Sequence, residues 1–198
     1  MITIGSGLIE AISKWASKDE TRPHLQVVAF TNGEIVATDG HRMVCVPCPE
    51  APRSGAGFGV FAMHLQAAVA AQRCLKPQHQ TLVIDRLDAN VVRIGIGHKN
   101  MRPCESSLSF VPEDLGRFPH YARVFPAEGV PDTGLKGIAM NPEYLATIGE
   151  VSRAQGCNNI QVVGWTNNPR DPVLFKNEAG SRFVVMPVVI RKGEPDVG

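Results

Sequence analysis

Two stretches of the sequence carry residue types that do chemistry. Cys45-Val46-Pro47-Cys48 is a C-x-x-C, with His41 four residues before it. Thiolates at that spacing bind zinc or run disulfide exchange. Only three ligands are in reach, and no second C-x-x-C exists. The segment also reads as a strand end, where neighbouring side chains go to opposite faces. Ordinary strand and turn thiols are expected, with no metal. Asp39 and His41 flank Gly40, a spacing that invites acid–base catalysis. No nucleophile with an organised partner accompanies them. Asp39 is expected instead to accept hydrogen bonds from N–H groups of its own turn. Gly5-Ser6-Gly7 and Gly55-Ala56-Gly57-Phe58-Gly59 are glycine-rich, yet neither completes a G-x-G-x-x-G between strand and helix. His24, His64, His79, His98 and His120 have no ligand spacing. No cofactor is implied and no enzyme is expected.

The elements around these stretches form a repeat. Ile2 to Ile4 reads as a strand. Leu8, Ile9, Ile12 and Trp15 share one helix face, with Ser6 as the candidate N-cap. Leu25 to Phe30, Glu34 to Asp39 and Arg42 to Val46 read as strands, with an Asn32-Gly33 hairpin turn. A second copy begins near Gly59. It has a strand Val60 to Met63 and an Ala-rich helix His64 to Leu75. Strands Thr81 to Asp85, Val91 to Ile96 and Glu105 to Val111 follow. A third copy begins near Gly137. Ile138 to Met140 is its first strand, and Asn141-Pro142-Glu143 is a strong helix start. Leu145, Ile148 and Val151 form the apolar stripe of that helix, and Gly156 ends it. Asn159 to Trp165, Val173 to Asn177 and Phe183 to Ile190 complete the unit. The chain is therefore three β-α-β-β-β units, an α+β arrangement. Units one and two form a complete domain over 1–116. A Pro/Gly-rich linker spans 117–136, a half domain 137–191, and a flexible tail 192–198. Unit three is expected to lack a partner unit in its own chain.

Composition excludes several classes. The 198 residues carry 20 Lys plus Arg against 19 Asp plus Glu, a net charge of +1. That balance suits neither a basic nucleic-acid coat nor an acidic disordered tail. The apolar fraction of 43% and a mean hydropathy of −0.05 are those of a globular chain. No apolar run approaches the roughly 20 residues of a membrane helix. Five cysteines and no visible secretory signal lead to the expectation of reduced thiols in a cytoplasm.

Three motifs carry a resemblance. Glu20-Thr21-Arg22-Pro23-His24-Leu25 with Val36-Ala37-Thr38-Asp39-Gly40-His41-Arg42-Met43 resembles the middle domain of the bacterial sliding clamp, the beta subunit of DNA polymerase III. Gly116-Arg117-Phe118-Pro119-His120-Tyr121-Ala122-Arg123-Val124-Phe125-Pro126 resembles its join between middle and last domains. Phe183-Val184-Val185-Met186-Pro187-Val188 resembles its C-terminal strand. The likeness implies a DNA-clamp (processivity) fold comprising the whole middle domain and the second half of the last. On this likeness the first domain and the first half of the last are expected to be absent, and with them one side of the usual ring-closing contact. It also implies a pocket for short hydrophobic peptide motifs of polymerase, loader or repair proteins. The matching positions are Leu25, Thr38, Gly40, His41, Arg42, Met43, Pro119, Arg123, Val124, Val184, Val185, Met186 and Pro187. Arg42 and Arg123 are expected to hold peptide carbonyls or carboxylates at the rim.

Clamp helices line a pore, so Lys14, Lys18, Arg22, Arg73, Lys76 and Arg153 are the candidates for contact with double-stranded DNA. Glu10, Asp19, Glu20, Glu143 and Glu150 dilute that signal. The expected function is a non-enzymatic, clamp-like replication or repair protein. The alternative is a decoy that sequesters clamp-binding proteins without loading on DNA. A homodimer through unit three would cover its apolar stripe.

Overall fold

The computed structural model describes residues 1–53, 57–74, 81–88, 91–97, 107–110, 118–126, 138–165, 168 and 170–188. Unit one holds β1 (Ile2–Gly5), α1 (Ser6–Ser13), β2 (Val27–Thr31), β3 (Glu34–Thr38) and β4 (Arg42–Pro47). Unit two holds β5 (Phe58–Phe61), α2 (Ala62–Arg73), β6 (Thr81–Arg86), β7 (Val92–Gly97) and β8 (Ser107–Phe110). Unit three holds α3 (Pro142–Ala154), β9 (Ile160–Gly164), β10 (Val173–Asn177) and β11 (Arg182–Val185). Local chemistry explains the joints. Asn32 and Gly33 take φ of 53° and 74°, the two-residue turn that Asn-Gly favours. The Asn141 side chain accepts the Glu143 N–H at 2.9 Å, which caps α3. Gly156, at φ 75°, closes that helix.

Several expectations change. Ser6 is not the cap of α1: Gly5 takes that position without a side-chain bond, because β1 runs straight into the helix. Leu25 lies in a short 3-10 turn, Pro23–Leu25, ahead of β2. Helix α2 begins at Ala62, so its preceding strand ends at Phe61. The Ile138 to Met140 strand reduces to one bridge, Ala139 to Val188. Leu75, Lys76 and the 192–198 tail lie outside the described residues.

Among the described residues, seven strands form one antiparallel sheet, β5-β2-β3-β4-β11-β10-β9, and four form a second, β1-β6-β7-β8. Units one and two exchange their first strands. β1 pairs with β6, and β5 pairs with β2. Unit three has a neighbour after all. β11 pairs with β4, with Val184 opposite Met43 and Arg182 opposite Cys45, and α3 packs on α1. Ile148 and Val151 are buried as a result, while Leu145 stays 43% exposed.

The seven-stranded sheet is apolar on both faces. Val44, Val46, Phe183 and Val185 enter the main core with Ile9, Ile12 and Trp15 of unit one. The rings of Trp15 and Phe183 lie 5.8 Å apart, so this core is continuous across the unit one–unit three seam. The alternate residues Met43, Cys45 and Val184 join Ala29, Val36 and Leu174 on the other face. Tyr121 covers them, with Phe118 and Phe125 beside it. The 118–126 part of the expected linker is thus a packed strap.

Alternation also separates the C-x-x-C thiols. Cys45 belongs to the outer-face cluster and Cys48 to the main core. Burial pushes both thiols up. Among the described residues, no group of three His, Cys, Asp or Glu is placed to hold a metal. No helix among them is long and apolar enough to cross a membrane.

Two outcomes are expected. Phe183→Ala opens a hole at the seam and should cost about 3–5 kcal/mol in urea unfolding. Purified protein should carry no stoichiometric zinc by elemental analysis, and a chelator should leave its Tm unchanged. One zinc per chain would contradict the separation of Cys45 and Cys48.

Candidate functional site

The β4–β11 seam, the β3–β4 turn and the strap meet at a cavity of about 240 Å³. It is lined by Thr38, Gly40, His41, Arg42, Met43, Pro119, Val124, Val184 and Met186. The turn is built from its own polar groups. Asp39 Oδ1 accepts the N–H groups of His41 at 2.8 Å and Arg42 at 3.0 Å, the expected Asx-turn. The Thr38 hydroxyl donates to the Arg42 carbonyl at 2.7 Å and accepts the Gly40 N–H at 3.1 Å. Gly40 sits at φ 94°. The positive φ is what calls for glycine; an added Cβ would stand 3.2 Å from the movable Arg22 Nη1 and in ordinary contact, 3.8 Å, with Leu25 Cδ1. The Met186 N–H donates to the His41 carbonyl at 2.9 Å, which carries the seam one residue past β11 and sets Met186 beside the turn.

The opposite wall is the strap. Its Tyr121 hydroxyl donates to Glu34 Oε2 at 3.1 Å and accepts from Asn32 Nδ2 at 3.3 Å. Burial pushes the Tyr121 phenol up. Glu34 also receives Arg182 Nη2 at 2.6 Å, and that guanidinium stacks 4.0 Å from the Phe125 ring centroid. Pro119 and Val124 are held over the seam by this polar clasp, and Val124 remains 41% exposed.

Nine of the thirteen positions implied by the resemblance line the cavity together. The other four sit elsewhere. Leu25 is buried against the Gly40 turn. Val185 belongs to the main core, since strand neighbours cannot share a face. Pro187 follows Met186 without reaching the lining. Arg123 is exposed and borders an adjoining depression of about 330 Å³ with Thr31, Asn32 and His120.

Arg42 is not a free rim cation. Its Nε lies 2.9 Å from Asp39 Oδ2, its Nη1 donates to Thr147 Oγ1 at 2.8 Å, and its Nη2 donates to the Lys14 carbonyl at 2.8 Å. The guanidinium stands 5.0 Å from the Trp15 ring and 4.9 Å from the Tyr144 ring. It is spent on binding α1, α3 and the turn to one another. Sequence reasoning missed Thr147 and Tyr144 as its partners. The available signal was a Tyr144, Thr147, Glu150 row at helical i, i+3 spacing beside the apolar stripe.

No protein-family model and no curated protein matches the sequence. Solved structures do match. The C. crescentus beta sliding clamp, solved with PEG bound, aligns at TM-score 0.65 and 19% identity over 96% of this chain and 65% of its own. The DNA polymerase III beta subunit of Thermotoga maritima aligns at TM-score 0.68 and 16% identity, over 98% and 65%. The Bartonella birtlesii clamp bound to griselimycin aligns at TM-score 0.61 and 16% identity, over 95% and 65%. The chain has the sliding-clamp fold. It spans about 65% of the length of those clamps.

Within the clamp fold, α1 packs between α2 and α3. The basic candidates on and beside the helices are largely engaged. Lys14 pairs with Glu150 at 2.9 Å, Arg73 with Glu10 at 2.6 Å and Arg22 with Asp19 at 2.8 Å. Lys18 and Arg153 are exposed, and Lys76 lies outside the described residues. Hydrogen bonds from Thr21 and the Arg22 side chain hold the Asp19 carboxyl down at about 2. Lys14, Lys18 and Arg42 also line an inner cavity of about 500 Å³ with Gln66 and Glu143.

Arg42→Ala should lower stability by about 2–3 kcal/mol, because it strands Asp39 and the Lys14 carbonyl. Arg42→Lys should recover less than half of that, since an ammonium cannot span three partners in one plane. Urea unfolding of the two variants checks both.

Proposed function

We propose that this protein is a non-enzymatic, clamp-fold protein of DNA replication or repair whose outer groove captures the short hydrophobic motifs of clamp-binding proteins. One observation carries the reading: every residue that lines the groove is a position at which the sequence resembles the clamp's peptide pocket. The chemistry suits such a guest. Val124, Val184, Met43 and Met186 offer apolar surface, and methionine adapts its shape to different side chains. The N–H groups of residues 39–42 and the Thr38 hydroxyl are already hydrogen-bonded within the protein, so an apolar guest strands none of them. Two similar structures were solved with molecules bound, griselimycin in one and PEG in the other, at a region described there as tethering a beta-motif in the second case.

Capture without loading on DNA is the second reading. One feature favours it: Lys14, Arg22 and Arg73 are already paired with carboxylates. Weak contact of Lys18 and Arg153 with duplex DNA would favour the loading reading instead.

Fluorescence anisotropy separates the outcomes. A labelled peptide with a clamp-binding motif should bind with Kd of about 1 µM, roughly −8 kcal/mol. Met186→Ala should weaken it about tenfold, with Arg123→Ala contributing less. Absence of binding by several such peptides at high protein concentration would sink the proposal. Salt-sensitive binding of duplex DNA in the same assay would displace the decoy reading.

A further inference from the structure

The exchange between units one and two has a rule, and unit three leaves it unfinished. In each complete case, the four residues just before a helix add to the first strand after the other unit's helix. Gly5, the residue before α1, pairs with Thr81, the first residue of β6. Phe61, the residue before α2, pairs with Val27, the first residue of β2. In unit three the equivalent donor is 138–141 and the equivalent acceptor is β9. Among the described residues β9 has β10 on one side and nothing on the other.

The side chains show the same gap. The second and fourth residues before each helix are apolar and face the main core. Ile2 and Ile4 in unit one are 2% and 7% exposed, and Phe58 and Val60 in unit two are 3% and 1%. Their counterparts Ile138 and Met140 are only half-buried. On the acceptor, Ile160 is 41% exposed, and on the flank of α3 Leu145 is 43% exposed. Eleven residues, 127–137, separate the described Pro126 from Ile138, far fewer than the fifty or so that make a unit. No fourth unit fits between them.

We infer that unit three pairs with unit three of a second copy, by reciprocal addition of residues 138–141 to the β9 edge. Units one and two set the register: Asn141 opposite Ile160 of the other copy, and Met140 opposite Gln161. The backbone permits it. Ala139 spends its carbonyl on the Val188 N–H at 2.8 Å, so Ile138 and Met140 direct theirs to the opposite edge. The new strand continues the existing seven-stranded sheet across the two-fold axis. This surface lies apart from the outer groove, and the inference holds whether or not the groove binds peptide.

Light scattering of the full chain at about 50 µM tests it. The expected mass is twice 21.4 kDa. Leu145→Arg and Ile160→Asp are exposed-site changes that should each halve the mass while leaving the far-UV spectrum unaltered. Independently, Met140→Cys with Gln161→Cys, in a Cys74→Ser, Cys104→Ser background, should cross-link two chains on mild oxidation. A monomer at 50 µM, or a dimer that survives both exposed-site changes without cross-linking through 140 and 161, would overturn the inference.

Discussion

Arg42 is the point at which three independent parts of the chain take a common position. Its planar fork receives the last carbonyl region of α1 through Lys14, the polar edge of α3 through Thr147, and the β3–β4 turn through Asp39. The faces of Trp15 and Tyr144 lie close to it. A cation taken this far out of water is costly unless every donor finds a partner. Here its donors reach a carboxylate, a hydroxyl and a carbonyl. The C-terminal end of a helix is also where a positive charge is favoured. The seam between β4 and β11 begins at the same residue, since Val185 stands opposite Arg42. Helix packing on one face and groove geometry on the other are therefore settled by one side chain.

The groove follows from a sheet that is apolar on both sides. A helix layer satisfies one face of the seven-stranded sheet. The other face needs cover only where Met43, Cys45 and Val184 come together, and the strap supplies it. Tyr121 and Arg182 share Glu34, so the strap is fixed at its middle and its far end. Pro119 and Val124, on either side of Tyr121, border the seam without filling it. What remains is a cleft walled by the turn, the seam and the strap, with two pliable methionines, Met43 and Met186. Such a shape accepts an extended apolar segment at little ordering cost to the protein.

The legible parts of the sequence were those decided within a few residues. Asn32-Gly33, Asn141-Pro142 and Gly156 each state a backbone geometry by themselves, and the structure has all three. Ser6 failed as a cap because incoming β1 dictates the backbone there. Leu145 shows the limit of periodicity, which marks a stripe but not what covers it. The rim role expected of Arg42 failed because its partners Lys14 and Thr147 are 28 and 105 positions away. The cavity lining came from the resemblance, not from any pattern. Strand alternation carries the separation of Val184 from Val185, which the resemblance had placed in the pocket together.

The β4–β11 seam has a consequence for synthesis. Arg182 stands opposite Cys45, and 137 positions separate them along the chain. At about 5–20 residues per second, a ribosome needs roughly seven to thirty seconds to cover that interval. For all of that time β4 offers an open edge whose core reads Met43-Val44-Cys45-Val46, apolar and without charge. Bare edges of this kind recruit other strands, including those of sister chains on the same message. The nascent protein therefore passes through a sticky stage that the finished one does not have, and a message broken before the codon for Arg182 would leave its product in that stage.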